Sequence, residues 1–183
     1  MHSRIVTWMV MICFMCATCH AELGLLSNQL NNSLMKKLLG EWEITDSSLN
    51  QQGQWQAGNG ASWHFYPILN GQAVQDDWIA PALDQPEPEA GRQYGTNIRI
   101  FNPKETRWEM AWASVKGQKV DTFTAIETDD AIIMSGLFNG NTSRITFFDI
   151  QANSFAWKLE LQQPDKTWLE VYRIKGKRVV KSN

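Results

Sequence analysis

The chain has 183 residues, a length that fits one domain, or one domain with a leader segment, and that can bury a substantial core. Charged residues make up 20% of the sequence and the formal net charge is −2, so no large basic surface for nucleic acid or anionic lipid is expected. Aromatic residues make up 11% and include nine tryptophans. Large rigid rings of this kind suit strands and pockets.

Residues 1–21 have the organisation of a secretory signal peptide. Arg4 supplies a positive charge, residues 5–18 form a nearly unbroken apolar run, and Ala21 completes a cleavage site before Glu22. The run is short for a membrane span, so cleavage is favoured and an uncleaved anchor is the alternative. We therefore expect an exported protein, periplasmic or secreted, with no membrane span after cleavage.

All three cysteines fall inside this leader, at positions 13, 16 and 19. Cleavage would leave residues 22–183 as one domain with no thiol, no disulfide and no cysteine metal ligand. Among the three histidines only His64 would remain. Few side chains could hold a metal ion, and the sequence predicts neither a metal nor a cofactor.

A short amphipathic helix is predicted at about residues 23–39. Leucines recur every fourth residue, at positions 26, 30, 34 and 38, which is the spacing of one helical face. Gly40 follows as a stop signal. We expect this helix to plug or flank one mouth of the structure that follows it.

After Gly40 the sequence changes to short runs of aromatic and β-branched residues separated by turn signals. Ten strands are predicted, at 41–49, 54–66, 72–79, 94–102, 106–114, 119–127, 130–138, 142–150, 153–162 and 167–176. Tight turns such as Asn70-Gly71 join antiparallel neighbours, whereas residues 80–93, with three prolines, form a surface loop. Strands in this order either close or leave edges exposed, so we predict an all-β, up-and-down antiparallel barrel over about 41–176, with a sandwich as the alternative.

One end of the predicted barrel has residues suited to sealing it. Gly40 and Trp42 open the first strand, and Arg173 lies on the last strand. A guanidinium over the indole face gains roughly 0.5 to 2 kcal/mol, and its donors can also bond nearby carbonyl groups. We expect these three residues to close the base of the barrel, with any binding site toward the other mouth.

Five segments together resemble a bacterial, often exported, lipocalin-like domain family of unknown function. They are LLGEW (38–42), WHFYPILNGQA (63–73), YGTNIRIFNP (94–103), WEMAW (108–112), and FDI with SFAW (148–150 and 154–157). The resemblance covers roughly residues 35–176. It implies a calycin-type antiparallel β-barrel, but it supplies no activity because the family has no settled biochemical role.

Aromatic side chains on alternating strands are the strongest candidates for a ligand-binding wall, since small-molecule sites combine apolar walls with a few placed polar groups. Arg99 shares a strand face with Phe101, and its planar fork of donors would suit a carboxylate or another anionic head group. The predicted ligand-binding residues are Trp63, Phe65, Trp78, Arg99, Phe101, Trp112 and Trp157.

No catalytic residue is predicted. His64 could serve as a general base or a haem ligand, but it alternates against two aromatic neighbours, and a position facing solvent is the alternative. The adjacent pairs Asp76-Asp77 and Asp129-Asp130 could seed an all-oxygen metal site, although adjacent strand residues point to opposite faces. Both pairs are therefore better interpreted as ordinary polar positions.

Inward carboxylates are the remaining route to catalysis. Two of Asp76, Asp77, Glu109 and Asp149, if both faced the interior, could be driven apart in pKa for acid and base chemistry. The alternative is a structural ion pair with Arg99 or Arg144, or plain exposure.

Three hypotheses follow from the sequence. The leading one is a barrel that binds a small apolar or amphipathic ligand in its interior without transforming it. The alternatives are an enzyme that uses inward carboxylates, and an envelope protein whose outer face or helix binds a protein partner. The sequence does not determine the oligomeric state.

Overall fold

The computed structural model describes residue 30 and residues 33–180. Its elements are helix α1 (Leu34–Leu38) and strands β1 (Gly40–Leu49), β2 (Trp55–Ala57), β3 (Ala61–Ile68), β4 (Ala73–Ala80), β5 (Gln93–Asn102), β6 (Arg107–Ser114), β7 (Lys119–Glu127), β8 (Ile132–Phe138), β9 (Asn141–Phe148), β10 (Ser154–Gln162) and β11 (Trp168–Arg178).

The strands form a closed antiparallel barrel. Strands β3 to β11 each pair with their neighbour in the chain, β1 pairs with β3, and the pairing of β11 with β1 closes the sheet. Ten strands make up this barrel, and β2 lies outside it, paired only with β1. The predicted barrel is confirmed, and the alternative of two open sheets in a sandwich is wrong.

The predicted strand 54–66 is interrupted, because β2 and β3 are two pieces along the same edge of β1. Gly60 has a φ of +72°, a left-handed conformation that favours glycine. The amide of Gly60 donates to Asp46 Oδ1 at 2.9 Å, and a Cβ on Gly58 would lie 2.0 Å from Asp46 Oδ2. The chain between β2 and β3 therefore bends around the carboxylate of Asp46. Glycine at position 58 leaves the space that this carboxylate occupies.

Helix α1 is shorter than predicted among the described residues, since it spans Leu34–Leu38. Ser33 caps it by accepting a hydrogen bond from the Lys36 amide, and the Leu34 amide donates to Glu127 Oε2 at 2.7 Å. Residues 23–29, 31 and 32 of the predicted helix, and the whole predicted signal peptide at 1–21, lie outside the described residues.

Alternation along the strands fills the barrel interior. The same parity that sends Trp42 and Ile44 inward on β1 exposes Glu43, and the other strands repeat this pattern. The resulting core is rich in aromatic rings in edge and tilted contacts; Trp63, for example, lies 5.4 Å from Phe147 and 5.9 Å from Phe155 between ring centroids. Met35 and Leu38 of α1 are fully buried and complete this core at one end.

The end covered by α1 is sealed by Trp42 and Arg178. The Arg178 guanidinium carbon lies 4.1 Å from the Trp42 ring centroid, and its nitrogens donate to the carbonyls of Leu39 and Lys37 at 2.5 and 2.6 Å. Trp42 Nε1 donates to the Leu38 carbonyl at 2.7 Å. These bonds satisfy carbonyl groups at the end of α1 that the helix itself leaves unpaired. Gly40 is close by, with a φ of +119°.

The predicted role of Arg173 in this seal is wrong. Arg173 lies opposite Ser47, remote from Trp42, and its guanidinium stacks over the ring of Trp55 at 3.5 Å. The physical reason is a register shift in the β10–β11 pairing, where Leu159 pairs with Tyr172 but Glu160 pairs with Glu170. The shift places Tyr172, Ile174 and Gly176 on the inner face of β11, so the arginine that continues that face is Arg178.

We expect Arg178→Ala to lower the free energy of unfolding by about 2 kcal/mol, because it removes a cation–π contact and hydrogen bonds to helix carbonyls. Arg173→Ala is the matched control, and we expect it to cost less than about 1 kcal/mol because its contact with Trp55 is exposed. Urea unfolding monitored by tryptophan fluorescence measures both values. Equal losses for the two variants would contradict the assignment of the seal to Arg178.

Candidate ligand-binding cavity

The barrel encloses a cavity of about 330 Å³. Its lining reaches from Arg99 at mid-barrel to Gln93 and Phe138, which end their strands on the side away from α1. The lining residues are Trp63, Trp78, Gln93, Asn97, Arg99, Trp112, Phe123, Met134, Phe138, Ile145, Phe147, Trp157, Leu159, Tyr172 and Ile174. The cavity therefore occupies the half of the barrel opposite the seal. This is the end at which the sequence predicts any binding site.

The structure brings five of the seven predicted residues to this cavity. They are Trp63, Trp78, Arg99, Trp112 and Trp157. Phe65 and Phe101 lie elsewhere, although both face inward. Phe65 is buried with its ring centroid 5.2 Å from the Arg99 guanidinium carbon, and Phe101 packs on Trp108 at 5.4 Å between centroids. Both belong to the core that supports the cavity from the sealed end.

Arg99 is paired with Asp76 inside the barrel. The two side chains are 1% and 0% exposed, and Arg99 Nη1 donates to Asp76 Oδ2. The other carboxylate oxygen, Asp76 Oδ1, accepts from Trp63 Nε1 at 2.6 Å. Burial of two charges is tolerated here because each is matched by the other and by further hydrogen bonds. The structural ion pair considered for Asp76 is confirmed, with Arg99 as its partner.

The remaining donors of Arg99 are only partly satisfied. With the Asn97 side-chain amide turned so that its oxygen faces Arg99 and its nitrogen faces the Ala111 carbonyl, Arg99 Nη2 donates to that oxygen at 3.1 Å and the nitrogen donates to Ala111 at 3.0 Å. Arg99 Nε is buried and has no hydrogen-bond partner. Burial lowers the pKa of Arg99 to about 9, which still leaves the guanidinium charged at neutral pH.

Close packing against glycine sets the position of one wall. Gly95 on β5 lies beside the side chain of Trp112 on β6, and a Cβ on Gly95 would lie 2.2 Å from the Trp112 ring. The six-membered ring of the indole therefore lies against bare backbone at this point. Any larger residue at position 95 would displace Trp112 and change the shape of the cavity.

Tyr172 connects the cavity wall to Asp46, a link that the sequence analysis missed. Tyr172 lines the cavity, its ring lies 5.9 Å from Trp157, and its hydroxyl donates to Asp46 Oδ2 at 2.6 Å. Burial, followed by the bond to Asp46, raises the pKa of Tyr172, so the hydroxyl keeps its proton. The alternation that starts at Trp42 on β1 could have placed Asp46 on the inner face. The glycines at positions 58 and 60 did not indicate that Tyr172 would be the partner of Asp46.

The aliphatic and phenylalanine part of the wall was also missed. Phe123, Met134, Ile145, Phe147 and Leu159 line the cavity from strands β7 to β10. Their inward parity could be read from alternation on each strand. The sequence did not show which inward residues of each strand lie beside the cavity and which lie in the solid core.

The other candidate residues do not converge on the cavity. His64 is exposed on the outer face of β3, and its ring lies 5.0 Å from Tyr66. Asp77, next to Asp76, points outward and accepts a hydrogen bond from the Tyr66 hydroxyl at 2.9 Å. Glu109 binds Arg107 on the outer face, and Asp149 is exposed beyond the end of β9. Asp149 and Arg173 therefore do not face the barrel interior.

Among residues 30 and 33–180, no group of three or more histidine, cysteine, aspartate or glutamate side chains could hold a metal ion. Within the same residues, no helix has the length and apolarity needed to cross a bilayer.

The barrel is similar to solved structures. The S-type phycobiliprotein lyase CPES from Guillardia theta matches with a TM-score of 0.56 and 9% sequence identity, over 87% of this chain and 98% of the lyase. Rv2717c from M. tuberculosis matches with a TM-score of 0.55 and 12% identity, over 80% of this chain and 95% of that protein. The fold is a lipocalin-like barrel. At these identities the likeness shows the fold alone.

Comparison by sequence finds no relative. No protein-family model matches the chain, and no curated protein matches it either.

We expect Asp76→Asn to lower the free energy of unfolding by about 3 to 5 kcal/mol, because the buried Arg99 charge would lose its partner. The matched control is Asp77→Asn, the neighbouring residue on the outer face, where we expect a change below about 0.5 kcal/mol. Chemical denaturation of both variants makes the comparison. A loss at Asp76 no larger than that at Asp77 would show that the buried pair does not stabilise the barrel.

Proposed function

We propose that this protein binds a small apolar or amphipathic molecule in the barrel cavity without transforming it. The observation that carries this proposal is the cavity of about 330 Å³, walled by four tryptophans and by aliphatic side chains, in the half of the barrel opposite the seal. Ligand sites of small-molecule binders start at roughly this size and are mostly apolar, with few polar groups. A ligand of about two fused rings would fit.

The contacts of the inward carboxylates favour binding over catalysis. Asp76 accepts from Arg99 and Trp63, and Asp46 accepts from Tyr172 and Gly60. A general acid or base needs a carboxyl group within hydrogen-bond reach of the reacting atom. Because both carboxylates are already held by residues of the barrel itself, the geometry supports a structural role for each.

A fluorescent apolar probe tests the proposal. We expect N-phenyl-1-naphthylamine to bind with a micromolar Kd, to gain emission in the cavity, and to quench tryptophan emission by energy transfer, since Trp63, Trp78, Trp112 and Trp157 line the wall. Trp112→Ala should weaken binding about tenfold because it removes a wall ring worth roughly 1 to 2 kcal/mol.

Trp55→Ala is the matched control for this titration, because Trp55 lies on β2 outside the barrel and is 37% exposed. It should leave the probe affinity unchanged. Absence of probe binding to the wild type, or equal weakening by both variants, would contradict a ligand site in the cavity.

Export is part of the same proposal, and it rests on residues 1–21. A positive residue, an apolar run and small residues at the cleavage site are the features that a signal peptidase system recognises. The lipocalin-like barrel would then work in the periplasm or outside the cell.

Mass spectrometry of the full-length chain, expressed in a bacterial host and recovered from the periplasm or medium, checks this expectation. We expect a mature protein that begins at Glu22, and we expect Ala21→Arg to remain unprocessed because a large charged residue blocks the cleavage site. Recovery of the wild-type chain in the cytoplasm with residues 1–21 intact would contradict export.

A further inference from the structure

The buried pair changes what Arg99 can offer a ligand. Arg99 alone would place a positive charge in the wall and attract an anionic head group. However, Asp76 is 0% exposed, bonded to the guanidinium, and equally part of the barrel interior. The charge of Arg99 is therefore balanced before any ligand arrives.

A carboxylate ligand would upset this balance. Among the lining residues, Arg99 is the one lysine, arginine, aspartate or glutamate, and the other polar lining residues are Gln93, Asn97 and Tyr172. A bound carboxylate would place two anionic groups, its own and that of Asp76, around a single cation in an apolar enclosure. Uncompensated charge in such surroundings is costly, because the ligand must give up its hydration without gaining a free counter-ion.

Among the buried polar atoms of the wall, one donor has no acceptor. The Tyr172 hydroxyl is used by Asp46, and the Asn97 amide is used by Ala111 and Arg99. Arg99 Nη1 and Nη2 are also bonded, whereas Arg99 Nε is buried and unpaired. A buried N–H group without a partner is unfavourable, and a small shift of the Arg99 side chain toward an oxygen acceptor on a ligand would relieve it.

We propose that the cavity selects uncharged aromatic molecules that carry a hydrogen-bond acceptor, such as a ketone or ether oxygen, and discriminates against carboxylates of the same shape. The flat tryptophan walls would contact the ring system, and the acceptor would lie toward Arg99. This inference rests on the proposed ligand-binding function and specifies the chemistry of the ligand.

Three nearly isosteric compounds test the inference at pH 7.5: 2-acetonaphthone, which is neutral and has an acceptor; 2-naphthoate, which is anionic; and 2-ethylnaphthalene, which is neutral without an acceptor. Each displaces N-phenyl-1-naphthylamine from the wild-type protein in a competition titration. We expect the ketone to bind at least tenfold more tightly than the carboxylate, and about fivefold to tenfold more tightly than the ethyl compound.

A double variant, Asp76→Leu with Arg99→Met, isolates the role of the pair. It removes both charges together, so that neither charge is left without its partner, a replacement that buried ion pairs often tolerate. Trp63 Nε1 loses its acceptor in this variant. In this variant the preference for the ketone over the ethyl compound should disappear, while N-phenyl-1-naphthylamine still binds. A ketone preference that persists in the folded double variant would overturn the assignment to Arg99.

The wild-type ratios decide the inference even if the double variant does not fold. Binding of 2-naphthoate as tight as that of 2-acetonaphthone, equal binding of the ketone and ethyl compounds, or displacement by none of the three would overturn it. The ligand-binding function itself would survive each of these results as long as N-phenyl-1-naphthylamine binds. Failure of that probe would overturn both.

Discussion

The pairing of β1 with β11 is the constraint on which the rest of the structure depends. It joins the first strand to the last over seven residue pairs, so that an antiparallel meander becomes a closed barrel without free barrel edges. Closure gives each strand one inner and one outer face. The seal of Trp42 and Arg178 forms at the end of this seam, where Trp42 lies directly opposite Arg178. Because α1 and the seal fill one end, the interior space remains at the other.

The cavity and the core are two layers of the same inner face. Toward α1, Phe65 is buried in the hydrophobic core and Phe101 packs against that core. Toward the other mouth, ten strands enclose more space than their side chains fill, and the wall stays open around Trp112 and Trp157. Between the layers lies the Asp76–Arg99 pair, which supplies polarity without net charge. This arrangement leaves a mostly apolar space inside the barrel beside a buried, charge-balanced pair.

Most of the fold could be predicted from the sequence, because alternation and turn residues act locally. The bounds of β7 were predicted without error, and most other strand bounds lie within one or two residues. The misplaced arginine of the seal has a different cause. A register shift beside Tyr172 reverses the inner and outer faces of β11, and nothing in the local pattern marks such a shift. The break between β2 and β3 likewise depends on Asp46, a contact across strands.

The site was predictable in composition but less so in its chemistry. Alternation along the strands indicated several tryptophans and Arg99 as residues of the cavity wall. Asp76 was already a candidate ion-pair partner of Arg99. The distance between Asp76 and Arg99 decides whether the carboxylate neutralises the guanidinium or remains a separate reactive group. That distance depends on the register of strands β4 and β5, which could have paired differently. Only the observed register, which places Asp76 opposite Asn97 and two residues from Arg99, turns two charges into one neutral unit.

The position of α1 has a consequence for attachment of the protein to a surface. Leu34 is held by Glu127 at the sealed end, and Val179, just beyond β11, bonds the Glu41 carbonyl at the same end. Both ends of the described chain therefore lie on the side of the barrel away from the cavity mouth. A lipid, a resin or a fused domain joined to either end would hold the barrel with its mouth pointing outward, so immobilised protein should retain free access for small molecules.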